Sequence, residues 1–482
     1  MPLMDSTYGI RRMLLIVASA LPALSQSPPP SAGRPWHSLD ERQIIKDADR
    51  FHQPAFRVEP DKTYSLAELI DIAEAHNPET RVAWERARAQ TDMLGIARSE
   101  LYPVLSAIAL SGVDRSEVPF GSQFYRQTVS GFQISLDLNY TIFDFGARRG
   151  RIDAERARLL AANFGFNDTH RKLIYEVEQA YYRLLNNSSQ EGAARASLAN
   201  AQAVQQAAEA RLRGGLAALP DVLEARSATA QAQYDLQDVI GAEEIARGDL
   251  ATTLGTSATA MIRVQSLGDM PTPAAVGESV DQAIDRALQQ RPDLQEQVAG
   301  IRQANAEQKE ARADYYPKLN VRATSSVQSL YLLQQTLPSG HTTDLTGGLA
   351  FSLNWTVFDG GARRKRVAEA DAANRRAQAQ AGAARDRIED EVWTAYSNLS
   401  TAFRQRDAAT ALLDAATQSY SAALESYNYG VRNLLDVTAA QKVLAQARSA
   451  DVLARTRVLS ALADLAFRTG DSIQAGPRRP QP

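Results

Sequence analysis

Asp144 and Arg148 stand four residues apart in the phrase YTIFDFGARRGR, residues 140–151. A carboxylate beside a guanidinium could serve as a catalytic Asp-x-Gly-x-Arg site, with the acid handling a proton and the arginine an anion. The phrase returns as WTVFDGGARRKR at 355–366, identical at 8 of 12 positions, with Asp359 and Gly361 in place of Asp144 and Gly146. In both copies an alternating apolar–polar segment stops at Asp-x-Gly, and a long segment without proline begins. A strand-to-helix junction explains that pattern better than a reaction does. Glycine allows the change of backbone, and an aspartate near a helix start suits its unpaired N–H groups. Arg148 and Arg149 are then expected in solvent.

The remaining candidates for chemistry are sparse. His37, His52, His76, His170 and His341 are scattered without metal-ligand spacing, and the chain has no cysteine. That excludes disulfides, thiolate zinc sites, a cysteine nucleophile and a lipid-bearing N-terminal cysteine. No phosphate-binding loop, zinc-protease motif or serine nucleophile elbow occurs. The expectation is a protein that is not an enzyme, with no cofactor and no metal, whose energy source is a partner. A net charge of −3 argues against nucleic acid as that partner.

The elements that position the Asp-x-Gly phrase come in duplicate. Pro78 pairs with Pro292 and Tyr102-Pro103 with Tyr316-Pro317 at an offset of 214. The offset then becomes 215 and holds through Tyr181 and Tyr396, Gly215 and Gly430, Asp221 and Asp436, and Gly255 and Gly470. In each copy a helix is expected from Ser65 or Ser279 to the Tyr-Pro, followed by two strands, a long helix (147–213 or 362–429) and a return helix. Rich in Ala, Arg, Gln and Glu, each long segment is a good helix former and spans on the order of 100 Å. Two shorter helices placed end to end have the same reach, so short pairs can lie beside long ones. An extended coiled-coil scaffold without a pore would satisfy the helices alone.

The strands point elsewhere. Ile134, Leu136, Leu138, Tyr140 and Ile142 share one face, and Ser135, Asp137, Asn139 and Thr141 the other. Leu349, Phe351, Leu353, Trp355 and Val357 alternate with Ser352, Asn354 and Thr356 in the same way. Such two-faced strands fit a membrane barrel, with Tyr140 and Trp355 in its interfacial aromatic girdle. The polar stretches 113–130 and 330–344 are expected as external loops. Four strands cannot close a barrel, and an open edge in lipid strands its backbone groups without partners. The chain must therefore oligomerise, and a dimer of eight strands or a trimer of twelve both answer.

Arg11 and Arg12 before MLLIVASALPAL, residues 13–24, look like a secretory signal peptide. The expected layout is a signal peptide (1–25), a Pro-rich segment (26–63), repeat 1 (64–255), a linker (256–278), repeat 2 (279–470) and a disordered tail (471–482). The strands are placed near 104–112, 131–143, 319–328 and 346–358.

AHNPE after an amphipathic start, the paired Tyr-Pro, the repeated FDxGARR and YNYGVRNLLDV at 427–437 together resemble the TolC-like outer-membrane efflux channels. The resemblance implies a mainly α fold with a small β part: long-helix hairpins forming a periplasmic α-barrel, under a trimeric 12-stranded transmembrane β-barrel. It implies a homotrimer in the outer membrane of a Gram-negative bacterium, most of it in the periplasm. A periplasmic adaptor and an inner-membrane pump of RND or ABC type complete the duct for efflux or type I secretion. The turns at Gly215 and Gly430 become helix tips that meet the adaptor. Tyr427, Arg432 and Asp436 match a periplasmic gate, with Asp221 as an acceptor for the phenol and guanidinium. Ala439 stands where some relatives place a second acidic ring. Without that role, Gly215 and Gly430 end helices, and Asp221 and Asp436 cap the next ones.

Overall fold

The computed structural model describes residues 41–50, 56, 58–59, 61–269, 277–334 and 338–471. The expected signal peptide and the tail beyond Asp471 lie outside the described residues. The chain divides into two units, Met1–Phe56 and Arg57–Pro482. Helix α1 (Glu41–Arg50) is the described element of the first. All that follows concerns the second.

A two-residue strand, β1 (Thr63–Tyr64), leads into α2 (Leu66–His76) and α3 (Pro78–Ser99). The single helix expected from Ser65 to the Tyr-Pro is therefore two helices. Asn77 is extended, with φ −68° and ψ 127°, because the ring of a following proline excludes the helical conformation. Arg291 breaks the second copy in the same way, between α6 (Val280–Gln290) and α7 (Pro292–Ala313). Each copy begins with a reciprocal cap. Glu68 N–H donates to Ser65 Oγ while Glu68 Oε2 accepts from Ser65 N–H at 3.0 Å. Gln282 and Ser279 repeat the pair.

Four strands follow the first helices of the two copies: β2 (Val104–Phe120), β3 (Gln123–Phe143), β5 (Lys318–Gln334) and β6 (Gly340–Asn354). They form one antiparallel sheet in the order β2-β3-β5-β6, with Ile134 opposite Val327 in the central pair. The expected loop at 113–130 is instead a continuation of the hairpin, paired from Val113 and Ser130 to Phe120 and Gln123. Residues 330–334 and 340–344 are likewise ladder. The alternation used to find strands ends where lipid ends, since a strand in water needs no apolar face. Backbone pairing has no such limit. At 15 to 21 residues the strands exceed the ~10 needed to cross a bilayer. In the other direction β6 stops at Asn354, short of the expected residue 358.

Past the sheet run α4 (Ala147–Arg213) and α8 (Ala362–Asn428), each of 67 residues and therefore about 100 Å long. Their return helices are α5 (Leu219–Thr253) and α9 (Leu434–Thr469), with β4 (Arg263–Val264) pairing parallel to β1. Among the described residues four hydrophobic clusters hold the bundle, the smallest being Leu94, Ala97 and Ile152 between α3 and α4. Leu173, Val177, Leu184 and Leu250 form one, and Ile388, Val392, Leu399 and Val458 another. The third, with Val204, Ala208, Val222, Tyr427 and Val437, sits where the two hairpins end. Alanines let these helices approach closely. At Gly150 the approach is closest, since a Cβ there would lie 2.9 Å from the Glu310 nitrogen on α7.

Candidate functional site

Three regions carry polar chemistry: the strand-to-helix joints, the middle of the bundle and the hairpin tips.

At each joint the backbone turns through two residues of positive φ, Phe145 (53°) and Gly146 (94°), or Gly360 (64°) and Gly361 (87°). An L side chain with a Cβ rarely holds a φ near 90°, so Gly146 and Gly361 are needed where they stand. Asp144 Oδ1 accepts from Gly146 N–H, and Oδ2 accepts from the backbone N–H of Arg148 at 3.0 Å and its Nε at 2.8 Å. Asp359 makes the same three bonds, to Gly361 N–H and to Arg363 N–H (2.9 Å) and Nε (3.0 Å). Burial opposes charge on Asp144, but the Arg148 backbone and side chain and the Gly146 N–H outweigh it, and the carboxyl titrates below its ordinary range. The Arg363 backbone N–H leads the causes that lower Asp359 in the same direction. Arg148 is thus not in solvent, as expected, but folded back, also donating to the Glu100 carbonyl that ends α3. Arg149 is exposed. Each saturated Asp–Arg pair is a joint with no acid or base left over for catalysis.

Above the joint the sheet has two unlike faces. Ile134, Leu136 and Ile142 on β3 and Leu349, Phe351 and Leu353 on β6 are exposed. On the opposite face Thr141 donates to Asn320 and Arg322 Nε donates to Asn139 at 3.1 Å. Tyr140 lies under the Arg148 guanidinium, and Trp355 donates its indole N–H to the Tyr315 carbonyl.

Midway along the bundle a buried ion network goes beyond anything the sequence reading singled out. Arg171, 1% exposed, bonds Asp168 and the Phe467 carbonyl and lies 4.2 Å over the Phe467 ring. Arg291 bridges Asp293 and Glu391, each at 2.7 Å, and Arg468 joins Glu391 and Asp464. These ions pin the end of α9 to α4, α7 and α8. The duplication could not flag Arg171, because its counterpart is Asp386.

At the tips, Gly215 (φ 72°) and Gly430 (φ 74°) end the long helices in the left-handed conformation, as expected of helix terminators. The capping roles differ from expectation. Asp221 is the third residue of α5 and reaches back to the Ala218 N–H at 3.1 Å. Asn433, not Asp436, caps α9 by accepting from the Asp436 N–H. Tyr427 is buried, its hydroxyl makes no hydrogen bond within the described residues, and Arg432 and Asp436 are exposed. Instead Arg211, at the end of α4, donates to the Tyr427 carbonyl at 2.6 Å and lies 4.7 Å over its ring. Burial raises the Tyr427 pKa; the Arg211 charge opposes that, and Asp221 adds to it. The Arg211–Tyr427 clasp joins the two hairpins. Its trace in the sequence is only RLRGG at 211–215, of which Gly215 alone has a match in the second copy.

Among the described residues no helix is long and apolar enough to cross a membrane, and no cluster of His, Asp and Glu could hold a metal ion. A family model described as outer membrane efflux protein matches residues 69–256 and 283–471, one match per copy. Protein CyaE of Bordetella pertussis is 30% identical over 408 residues, 83% of each chain. Outer membrane protein OprJ of Pseudomonas aeruginosa is 24% identical over 383 residues, 78% of each. Among solved structures, the outer-membrane channel OprN superposes with a TM-score of 0.74 at 20% identity, covering 87% of this chain and 97% of that one.

Proposed function

Because the chain belongs to the outer membrane efflux protein family, with most of its residues in the periplasm, we propose that it is the exit duct of a tripartite efflux or type I secretion system. The observation that carries this reading is the sheet. It is apolar on one face and polar on the other, open at β2 and β6, and joined by short turns to helices about 100 Å long. An open edge in lipid leaves backbone groups unpaired, so copies of the chain complete one another's ladders. Three copies give twelve strands, wide enough for a polar lumen that continues into the helical tunnel. The duct is passive. An inner-membrane pump of RND or ABC type drives transport, and a periplasmic adaptor grips the helix turns at Gly215 and Gly430.

The tips are the gate. Arg211 clasps Tyr427 within each copy, while the exposed Arg432 and Asp436 reach toward neighbouring copies, and Asp221 holds its helix start in place. Repeated by symmetry, Asp436 makes an acidic ring that favours cations. The membrane-extracted protein is expected to have the mass of three chains and to conduct in discrete steps. A water-soluble single chain without conductance overturns the reading.

A further inference from the structure

Helices α4 and α7 pack along a line through Gly150, where a Cβ would meet Glu310 and the Ala306 carbonyl. The two flanks of that line differ in charge. On one flank Arg151 pairs with Glu100 and Glu310, and Arg158 with Glu155 and Glu307. That flank opens under the polar face of the sheet, beside Asn139, Asn320 and Arg322. The opposite flank is a groove of about 290 Å³, lined by Asp153, Arg156 and Leu160 of α4 and by Arg302, Asn305 and Lys309 of α7. Here cations are in excess. Arg156 donates to Asp153 at 2.7 Å, whereas the Arg302 and Lys309 side chains have no partner among the described residues.

Directly above this groove the sheet ends in aromatic side chains. Phe145 and Tyr316, each about half exposed, stack at 4.8 Å, and Phe143 packs edge-on against Phe145. Lys309 stands seven residues before Tyr316, and the exposed Arg149 four after Phe145. Both therefore lie within about 10 Å of the stack along the chain direction. Arg302 and Arg156 are seven residues further on, each on the same helix face as the cation above it. An apolar belt, then exposed aromatics, then unpaired cations is the order in which a bilayer presents acyl chains, the interface and phosphates. The groove floor of Ala157, Leu160 and Ala306 is apolar, so nothing in it competes for those cations.

We infer that the groove between α4 and α7 holds an anionic phospholipid of the periplasmic leaflet, its phosphate among Lys309, Arg302 and Arg149 and its acyl chains against Phe145 and Tyr316. Charge complementarity selects this occupant. A zwitterionic headgroup would bring its own ammonium against unpaired cations, whereas a net anion completes them. The duplication provides a contrast, because the second copy lacks the site. At the repeat offsets Asp371 replaces Arg156, Gly95 replaces Lys309 and Gly360 replaces Phe145, and only Arg302 has a basic counterpart of its pair, Arg88. The inference rests on the channel reading, which sets the apolar face of the sheet in lipid, and adds a lipid partner to it.

The test is native mass spectrometry of the full-length protein, extracted from membranes, stripped of lipid and titrated with phosphatidylglycerol or with zwitterionic phosphatidylcholine. Phosphatidylglycerol is expected to bind the more tightly. Arg302→Gln with Lys309→Gln is expected to weaken phosphatidylglycerol roughly 30-fold, the effect of removing two cations at a membrane surface, and to leave phosphatidylcholine unchanged. Arg88→Gln, at the counterpart position beside Gly95, is expected to bind phosphatidylglycerol as the native protein does. Glycerol phosphate, which has the headgroup without acyl chains, is not expected to displace the lipid. The mass of the assembly, read in the same spectra, reports that each variant is folded. If the double variant holds phosphatidylglycerol as tightly as the native protein, or glycerol phosphate displaces it, the lipid site is overturned and the channel reading stands. A chain that stays single and water-soluble and carries no lipid overturns both.

Discussion

The strand-to-helix joints and the hairpin tips lie at opposite ends of the same long helices, and they treat polar groups in opposite ways. At the joint, Asp144 accepts three hydrogen bonds and Arg148 is tied to a carboxylate and a helix-ending carbonyl. Asp359 and Arg363 repeat the core of that arrangement atom for atom. At the tip, the Arg211 Nε and the Tyr427 hydroxyl are buried with no hydrogen-bond partner among the described residues. Buried polar networks are rigid when every member is satisfied, and unpaired members are costly. The contrast therefore separates a fixed end, where a membrane barrel must not move, from an end where separating the hairpins would relieve two unpaired polar groups.

Breaking the joint is expected to have the largest effect. Asp144→Ala leaves the Arg148 side chain, 14% exposed, without its carboxylate, and removes the helix cap. The expected loss is about 3 kcal/mol in unfolding by denaturant in detergent. The pH dependence has a defined sign. Because Asp144 titrates below its ordinary value of 3.8, its contribution is complete above that value and fades as pH falls through the lowered pKa. The joint is thus expected to hold at mildly acidic pH.

Glu178 sharpens the comparison from the rigid middle of α4. Its Oε2 is buried without a partner among the described residues, and burial pushes its pKa up to about 7. A carboxyl raised in the fold stabilises below its ordinary value of 4.5 and loses that contribution as pH rises through 7. Glu178→Gln is expected to add about 2 kcal/mol at alkaline pH and to flatten the pH profile of unfolding.

Arg211→Ala tests the tip directly. It removes the bond to the Tyr427 carbonyl and the cation over its ring, worth about 1–2 kcal/mol together. Single-channel conductance is expected to rise with little change in the global unfolding midpoint. An unchanged conductance would count against the clasp. The smallest effect is expected from Tyr427→Phe, roughly 0.5 kcal/mol or less, since the hydroxyl it removes has no partner among the described residues.

The same contrast explains what could be read from sequence. The joint was legible because its bonds are local and it occurs twice. The hydrogen bonds of Asp144 and Asp359 reach no further than four residues, so the motif is visible as a string. The long helices were legible through their unbroken repeat offset. The Arg211–Tyr427 clasp spans two hairpins and has no second copy, Arg211 being matched by Ser426, so nothing in the string connects its members. Arg171 was hidden for the same reason. The breaks at Asn77 and Arg291 were written in the prolines that follow them but masked by helical periodicity on both sides. The strand ends beyond the lipid escaped because backbone pairing leaves no apolar pattern.

The most direct measurement is the conductance of the full-length, membrane-extracted protein in planar bilayers, alone and as Arg211→Ala. A conduit closed at its tips is expected to show discrete steps that grow when the clasp is removed. Protein that inserts as an intact assembly yet carries no current in either form would contradict it.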